Sequence, residues 1–429
     1  MVDGLLPEKR YSRAPLVARE YQWLPVTNSA STGISLQEFD SLRTLSQKRP
    51  GLCEASYGGI RLKHYCGIVS LGERSLEIIP KLGIDDVPTD LSRGHLLRWL
   101  RDSGCMPTPV LTEAAQSSTS SPLLDTFISA FFGEVARTVS QGLLHRYKSE
   151  SEDLASIRGR INWPRQSGTL WGRPDRMACT YDEFTADISV NQIVKYALRA
   201  VLRQGDRQLS RRAATLLGHF ESVSDIDVHC LRGTVSLRDR QIRRYEGCLA
   251  WAWLIIDTLS PSLRHGDEQA PGLLFDMNKV FEAIAVRCIS ADIQSPDFRV
   301  SVQDASSHLG FYGEHAVTQL RPDIVVWKGQ QRMTVADAKW KRLEVDSRGV
   351  PILNGHDVYQ LLSYAAAMDL SEVSLVYPLH DGLKGWTPDS VKLRIHDGGT
   401  VNLSILLIDL ASDSYDVTTS ASWYTGLRT

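Results

Sequence analysis

The sequence predicts a mixed α/β protein: a β-rich N-terminal part, a helical middle and a C-terminal α/β domain. Three observations predict it. Short β-like runs punctuated by turns fill the stretch from about Tyr21 to Gly83. Segments with apolar residues at helical spacing dominate from Leu123 onward. After Phe275 the order becomes helix, strands, hairpin, helix, strand, the pattern of helices covering a mixed sheet. The expected divisions are residues 1–115, 116–270 and 271–429.

At 429 residues, 42% hydrophobic and 23% charged, the chain is long enough for two or three domains with their own cores. A formal net charge of −2 excludes a globally basic nucleic-acid binder, so contact with DNA must come from local clusters or a partner. The seven cysteines are scattered and never spaced Cys-x-x-Cys, so neither a disulfide framework nor a zinc knuckle is expected. The segment Met1 to Arg10 lacks the charged-then-apolar order of a signal peptide. The longest apolar run, Cys248 to Ile256, is far short of a membrane span. A soluble cytoplasmic protein with reduced thiols is the expectation.

In chain order, a helix is expected from Leu36 to Leu45 with Ser35 as N-cap. Strands follow at Ile60–Leu62, Tyr65–Leu71 and Leu76–Ile79, the last ended by Pro80. His95 to Arg101 reads as a short amphipathic helix, and the Pro/Ser/Thr-rich stretch Cys105 to Pro122 as a linker. Helical spacing resumes from Leu123 to about Leu144. Ile157-Arg158-Gly159-Arg160-Ile161 reads as a tight exposed turn, either a solvated loop or an arginine probe for phosphate or a partner. Tyr181 to Asp187 leads into helices at Val190–Arg203, Leu209–Val223 and Arg238–Leu259. The arginines at 203, 207, 211, 212, 238, 240, 243 and 244 give these helices basic faces, suited to solvent, DNA or an acidic partner.

In the C-terminal third, Asp276 can cap a helix whose buried stripe includes Met277, Val280, Phe281 and Ile284, with Glu282 at its edge. A carboxylate there is ordinarily solvated; beside a metal site it would add an oxygen ligand. Strands are expected at Phe298–Val302, Leu375–Tyr377 and Leu403–Ile408, and a helix opening at Asp357 that places Gln360 and Tyr364 on one face. The apolar runs Ile324–Trp327 and Met333–Ala336 flank a turn near Gly329 and Gln330, the signature of a hairpin. If the turn centres on Gln330, Asp323 faces Asp337, and Lys339 shares the face of Asp337. Two carboxylates and an ammonium in one small region suit a hard divalent cation and phosphodiester hydrolysis; a surface hairpin with an incidental ion pair is the alternative. Asp337-Ala-Lys339 is the single carboxylate-x-Lys tripeptide in the chain. No Gly-x-x-x-x-Gly-Lys loop occurs, so a nucleotide-driven step would fall to another polypeptide.

Pro322-Asp323 with Asp337-Ala-Lys339 resembles the PD-(D/E)XK nuclease motif, and Gln360 with Tyr364 resembles its Gln-x-x-x-Tyr element. Leu76-Glu-Ile-Ile-Pro-Lys81, Arg158-Gly-Arg-Ile161, Tyr181-Asp-Glu-Phe184 with Asn191, and Phe275 to Glu282 together resemble the McrC family, the nuclease subunits of McrBC-type modification-dependent restriction systems. The resemblance runs in order from about residue 60 to 380. It implies a finger-like partner-binding region before the nuclease domain and a hexameric McrB-like AAA+ GTPase that binds the GTP. It also implies Mg²⁺-dependent cleavage of modified double-stranded DNA. By the same resemblance Asp323, Asp337 and Lys339 match the catalytic motif, with Glu282 and Gln360 beside them, and Arg158 and Arg160 are candidates for partner contact. An assembly and GTPase-activating factor with an inactive nuclease domain, and a stand-alone nuclease, remain as alternatives.

Overall fold

The computed structural model describes residues 15–27, 33–71, 74–81, 88–106, 122–204, 207–235, 239–259, 272–293, 296–394 and 399–419. Most of the expected linker, Arg238 and the last ten residues lie outside these. The fold is mixed α/β, as the periodicities predict.

In the N-terminal part the helix Leu36–Lys48 begins with a capping box in which Ser35 and Glu38 satisfy each other's backbone N–H groups. It packs beside a three-stranded sheet of Trp23–Pro25, Gly59–Leu62 and Cys53–Ser56. A second sheet orders Leu16–Arg19, Ser75–Ile79, Tyr65–Ser70 and Gly272–Asp276. Every residue of Ser75–Ile79 is buried, and Glu77 is tolerated there because the Arg93 guanidinium clasps both its oxygens. The last strand of this sheet arrives from more than 190 residues downstream and runs directly into the helix Met277–Asp292, so the N-terminal sheet and the C-terminal α/β layer share one piece of chain.

The middle packs Leu123–Ser140, Ser189–Gln204, Arg207–Leu217 and Glu246–Leu259 around Phe127, Phe131, Trp251 and Ile193. The expected helix from Arg238 to Leu259 is broken: Arg240–Arg243 and Glu246–Leu259 are separated where Tyr245 turns into the core. Its hydroxyl donates to Asn191 Oδ1 (2.9 Å) and accepts from the Leu144 amide (2.8 Å). Asn191, fully buried, in turn donates to the carbonyls of Leu144 and Ala186. This clip fixes both ends of a three-stranded finger, Arg146–Leu154, Met177–Thr185 and Arg160–Ile161. The nine-residue strand Arg146–Leu154 escapes the sequence reading because it is built almost wholly of charged and polar residues with little apolar signal.

The C-terminal domain is a seven-stranded mixed sheet in the order Phe298–Val302, Ile324–Lys328, Gln331–Ala338, Glu372–Pro378, Thr400–Ile408, Val391–Arg394, with Val417–Thr419 also paired to Thr400–Ile408. Helix Met277–Asp292 covers one face, against Ile324, Val326 and Ala336. Helix Gly355–Met368 covers the other, against Val325 and Val335.

The junction between the first and last parts is tight. Gly67 sits at φ +131°, and a Cβ built there would lie 1.9 Å from the Leu273 carbonyl oxygen. Gly67→Ala is expected to lower stability by roughly 2 kcal/mol or more, because neither the conformation nor the space suits a side chain. Chemical denaturation of the two proteins checks this, and an unchanged midpoint would contradict it.

Candidate active site

The hairpin joins Ile324–Lys328 to Gln331–Ala338 through Gly329 and Gln330, with Gly329 at φ +58° in the first turn position. Near the turn Lys328 faces Gln331 and Trp327 faces Arg332, which alone would leave Asp323 opposite Ala336. A β-bulge at Met333 then shifts the register, so that Val326 faces Thr334 and Ile324 faces Ala336. Continued by one residue, that register sets Asp323 opposite Asp337. The expected facing therefore holds, through a two-residue turn and a bulge rather than a turn centred on Gln330.

Asp323 Oδ2 accepts the Ala338 amide at 2.8 Å. The Lys339 ammonium contacts Asp337 Oδ2 and donates to Gln360 Oε1 at 3.0 Å. Gln360 Nε2 donates to Asp337 Oδ1 (3.2 Å) and to the Tyr364 hydroxyl (2.7 Å), which donates to the Arg321 carbonyl (3.2 Å). The helical spacing of Gln360 and Tyr364 thus becomes one hydrogen-bonded chain from the ammonium back to the entry of the hairpin.

Glu282 stands differently. It comes from the helix on the opposite face of the sheet and accepts from Gln303 Nε2 at 2.9 Å. Gln303 also bonds the backbone of Asp323 through its amide (3.0 Å), so Glu282 adjoins the pair through Gln303. Among the described residues no three His, Cys, Asp or Glu side chains form a ready cation cage. The oxygen-only donor set nonetheless suits a hard divalent ion, because Asp323 and Asp337 face each other in partly dry surroundings. Burial, then the charge of Asp337, pushes the Asp323 carboxyl up to about 7. Burial also raises Asp337, against the lowering effect of Lys339.

Two residues of this site lie outside the sequence prediction. Asp357, 4% exposed in the first turn of helix Gly355–Met368, is 3.9 Å from the Lys339 ammonium and contacts that of Lys341. Its spacing of three before Gln360 was the available signal. Arg158 and Arg160 are remote from this chemistry, on the finger, and both are exposed. Arg158 stacks over Tyr181, 3.9 Å from the ring centroid, and lies 3.7 Å from Glu183. Gly159 between them, at φ +71°, leaves no room for a Cβ beside the Thr180 carbonyl. Of the arginines on the helical faces, Arg244 is held by the Gln141 and Gly142 carbonyls at a helix end, while Arg203, Arg207 and Arg211 are exposed.

Residues 60–378 match the family described as McrBC 5-methylcytosine restriction system component. The chain belongs to that family. The McrBC match begins in the N-terminal sheet and ends one strand beyond the hairpin, so it includes the finger and all of Asp323, Asp337, Lys339 and Gln360. Among solved structures the chain is similar to one in the refined half-complex from the tetradecameric assembly of Thermococcus gammatolerans McrB AAA+ hexamers with bound McrC. The TM-score is 0.72 at 17% identity, covering 94% of this chain and 95% of that one. It also resembles a chain in the cryo-EM structure of the Thermococcus gammatolerans McrBC complex, with a TM-score of 0.51 at 18% identity, covering 66% and 88%. At such identities the likeness is one of fold. No curated protein matches.

The raised Asp323 has a consequence for stability. A carboxyl that ionises less readily folded than unfolded removes stability as pH rises from about 4 to about 7. Without divalent ions, Asp323→Asn is expected to melt above the parent at pH 7.5, by on the order of 1–3 kcal/mol, and level with it below about pH 4. Thermal melts across that range in a chelator check the sign; a variant less stable at pH 7.5 would refute it.

Proposed function

We propose that this chain is the DNA endonuclease subunit of a GTP-dependent restriction complex that cuts modified double-stranded DNA. The observation that carries the reading is the facing of Asp323 and Asp337 at the open end of a bulged hairpin, with the Lys339 ammonium held beside them. Membership of the McrBC family supports restriction as the setting. The likeness to a chain from an assembly of McrB AAA+ hexamers with bound McrC supports a hexameric AAA+ GTPase as partner. The sequence carries no phosphate-binding loop of its own, so GTP is assigned to that partner.

Asp323 and Asp337, with Glu282 adjoining, would hold Mg²⁺, which when bound supplies Lewis-acid polarisation of the phosphate and a more acidic water. The chain's own residues do the rest. Lys339, fixed by Gln360, presents its charge where negative charge builds on the phosphate and orients the attacking water. Tyr364 and the Arg321 carbonyl hold Gln360, so the ammonium cannot drift with its four-carbon stem. Asp357 keeps Lys339 and Lys341 apart while balancing both. A second reading, a GTPase-activating factor whose nuclease site does not turn over, draws on Asp337 being engaged by both Lys339 and Gln360 and on the absence of a ready three-carboxylate cage among the described residues.

In a complex reconstituted with the partner GTPase, Asp337→Ala is expected to abolish DNA cleavage while GTPase stimulation persists, and Lys339→Ala to slow cleavage about 10²–10⁴-fold. Cleavage retained by Asp337→Ala would sink the site, and a parent complex that stimulates GTPase yet cuts no DNA would favour the second reading. Arg158 and Arg160, exposed along the edge of the finger, are assigned to the partner. Changing both to alanine is expected to weaken GTPase stimulation about tenfold or more with an unchanged melting temperature. Full stimulation by that double variant would return the turn to a solvated loop.

A further inference from the structure

Beside the candidate active site lies a second cleft, about 70 Å³, between the N-terminal part and the nuclease-like domain. Its walls come from both. Tyr21 and Lys81 stand on one side; Lys341, Arg342 and His380 stand on the other. The floor is Glu20 with Trp340. Glu20, 1% exposed, accepts the Trp340 indole N–H (2.9 Å) on one oxygen and the Lys81 amide (3.2 Å) on the other. One carboxyl therefore ties the end of the Leu76–Lys81 stretch to the residue after Lys339. Tyr21, at φ +60°, is a non-glycine residue held in the left-handed region at the rim.

Cationic side chains stand in the wall of a cleft whose remaining lining is largely apolar. Lys81 and Arg342 bring positive side chains to a space with room for a few waters or one phosphate group, while Lys341, also in its wall, is held by Asp357. Glu20 does not oppose an anion strongly, since burial pushes it up to about 7 and its oxygens are turned to the indole and the Lys81 amide. The His380 ring is fixed in the wall between the Gly382 amide, 3.2 Å from Nδ1, and the Leu343 carbonyl, 2.8 Å from Nε2. Closeness in the chain to Lys339 points to a strand phosphate as the anion. Lys341 lies two residues from Lys339, at most roughly 7 Å of chain, about two nucleotide rises along a strand.

We propose that this cleft is a backbone-phosphate subsite of the nuclease, in which Lys81 of the N-terminal part and Arg342 of the nuclease-like domain together grip the DNA strand next to the scissile phosphate. The proposal rests on the nuclease reading above. It gives Lys81, which the catalytic arrangement does not use, a substrate role, and it makes the N-terminal part a wall of the DNA path. Phosphate contacts of this kind position a strand without reading its sequence.

The test uses the full chain in complex with the partner GTPase, carrying Asp337→Asn so that DNA is bound and not cut, and a fluorescent duplex titrated at several salt concentrations. Lys81→Ala and Arg342→Ala are each expected to weaken binding several-fold, equally for unrelated sequences, and to reduce the slope of log affinity against log salt by about 1. Lys81→Arg is expected to restore most of the loss. Arg43→Ala, a change on the exposed face of helix Leu36–Lys48, is expected to leave affinity and slope unchanged. Unchanged affinity and slope for both cleft variants, with melting temperatures intact, would overturn the proposal. So would loss of partner affinity without a change in DNA slope, which would assign the cleft to an acidic protein surface. The nuclease reading fails separately: without the Asp337→Asn change, a parent complex that binds DNA and never cuts it leaves the slope measurement standing.

Discussion

The C-terminal domain depends on the register of one antiparallel strand pair. Because side chains alternate along a strand, a slip of one residue between Ile324–Lys328 and Gln331–Ala338 would turn Asp337 to the opposite face and bury Lys339 against helix Met277–Asp292. The two-residue turn by itself produces that slipped pairing. Met333, bulged out of the ladder, corrects it before the strands reach Asp323 and Asp337. The parallel pairing of Val335–Ala338 with Val373–Val376 then holds the corrected register from the other side, and the Lys339 amide continues it to the Val376 carbonyl.

That register has an electrostatic cost, and the surroundings show how it is met. Asp323, Asp337 and Asp357 converge on Lys339 and Lys341, so the carboxylates outnumber the ammonium groups within a few ångströms of the hairpin end. Each carboxylate is partly satisfied: by a backbone amide, by an amide side chain, or by lysine. The remaining excess of negative charge is what a divalent cation would neutralise. Gln360 matters because its amide donates toward the carboxylate and accepts from the ammonium at once, which neither a glutamate nor a leucine could do.

The site is also joined to the rest of the chain through its next residue. Trp340 packs edge-on to Trp99, 5.8 Å between centroids, and against Phe281 at 5.6 Å, while its N–H reaches Glu20. Residues from the N-terminal sheet, from helix Thr89–Asp102 and from helix Met277–Asp292 therefore meet at the indole that follows Lys339. With strand Gly272–Asp276 inserted in the N-terminal sheet, a displacement of that part would be felt at Lys339 through packed side chains and shared backbone.

The sequence by itself determined the elements whose apolar periodicity is strong and whose ends carry caps: the helix after Ser35, the helix after Asp276, the helix bearing Gln360 and Tyr364, and the hairpin between Asp323 and Asp337. It also named the side chains that the structure gathers at the hairpin end, because Asp337 and Lys339 share a face by strand alternation and Gln360 and Tyr364 by helical spacing. Only the tertiary structure decided the long-range relations. It brought Glu282 beside Asp323 from the helix on the other face of the sheet, and it placed Asp357 between two lysines, Lys81 across a cleft from Arg342, and Gly272–Asp276 in a sheet begun some two hundred residues earlier. It broke the expected Arg238–Leu259 helix to bury Tyr245 against Asn191, and formed the nine-residue finger strand Arg146–Leu154 from a segment with little apolar pattern. The reason is one of range: periodicity and capping act over a turn or a strand pair, while the partners of a buried polar group are chosen by whichever distant backbone happens to be packed beside it.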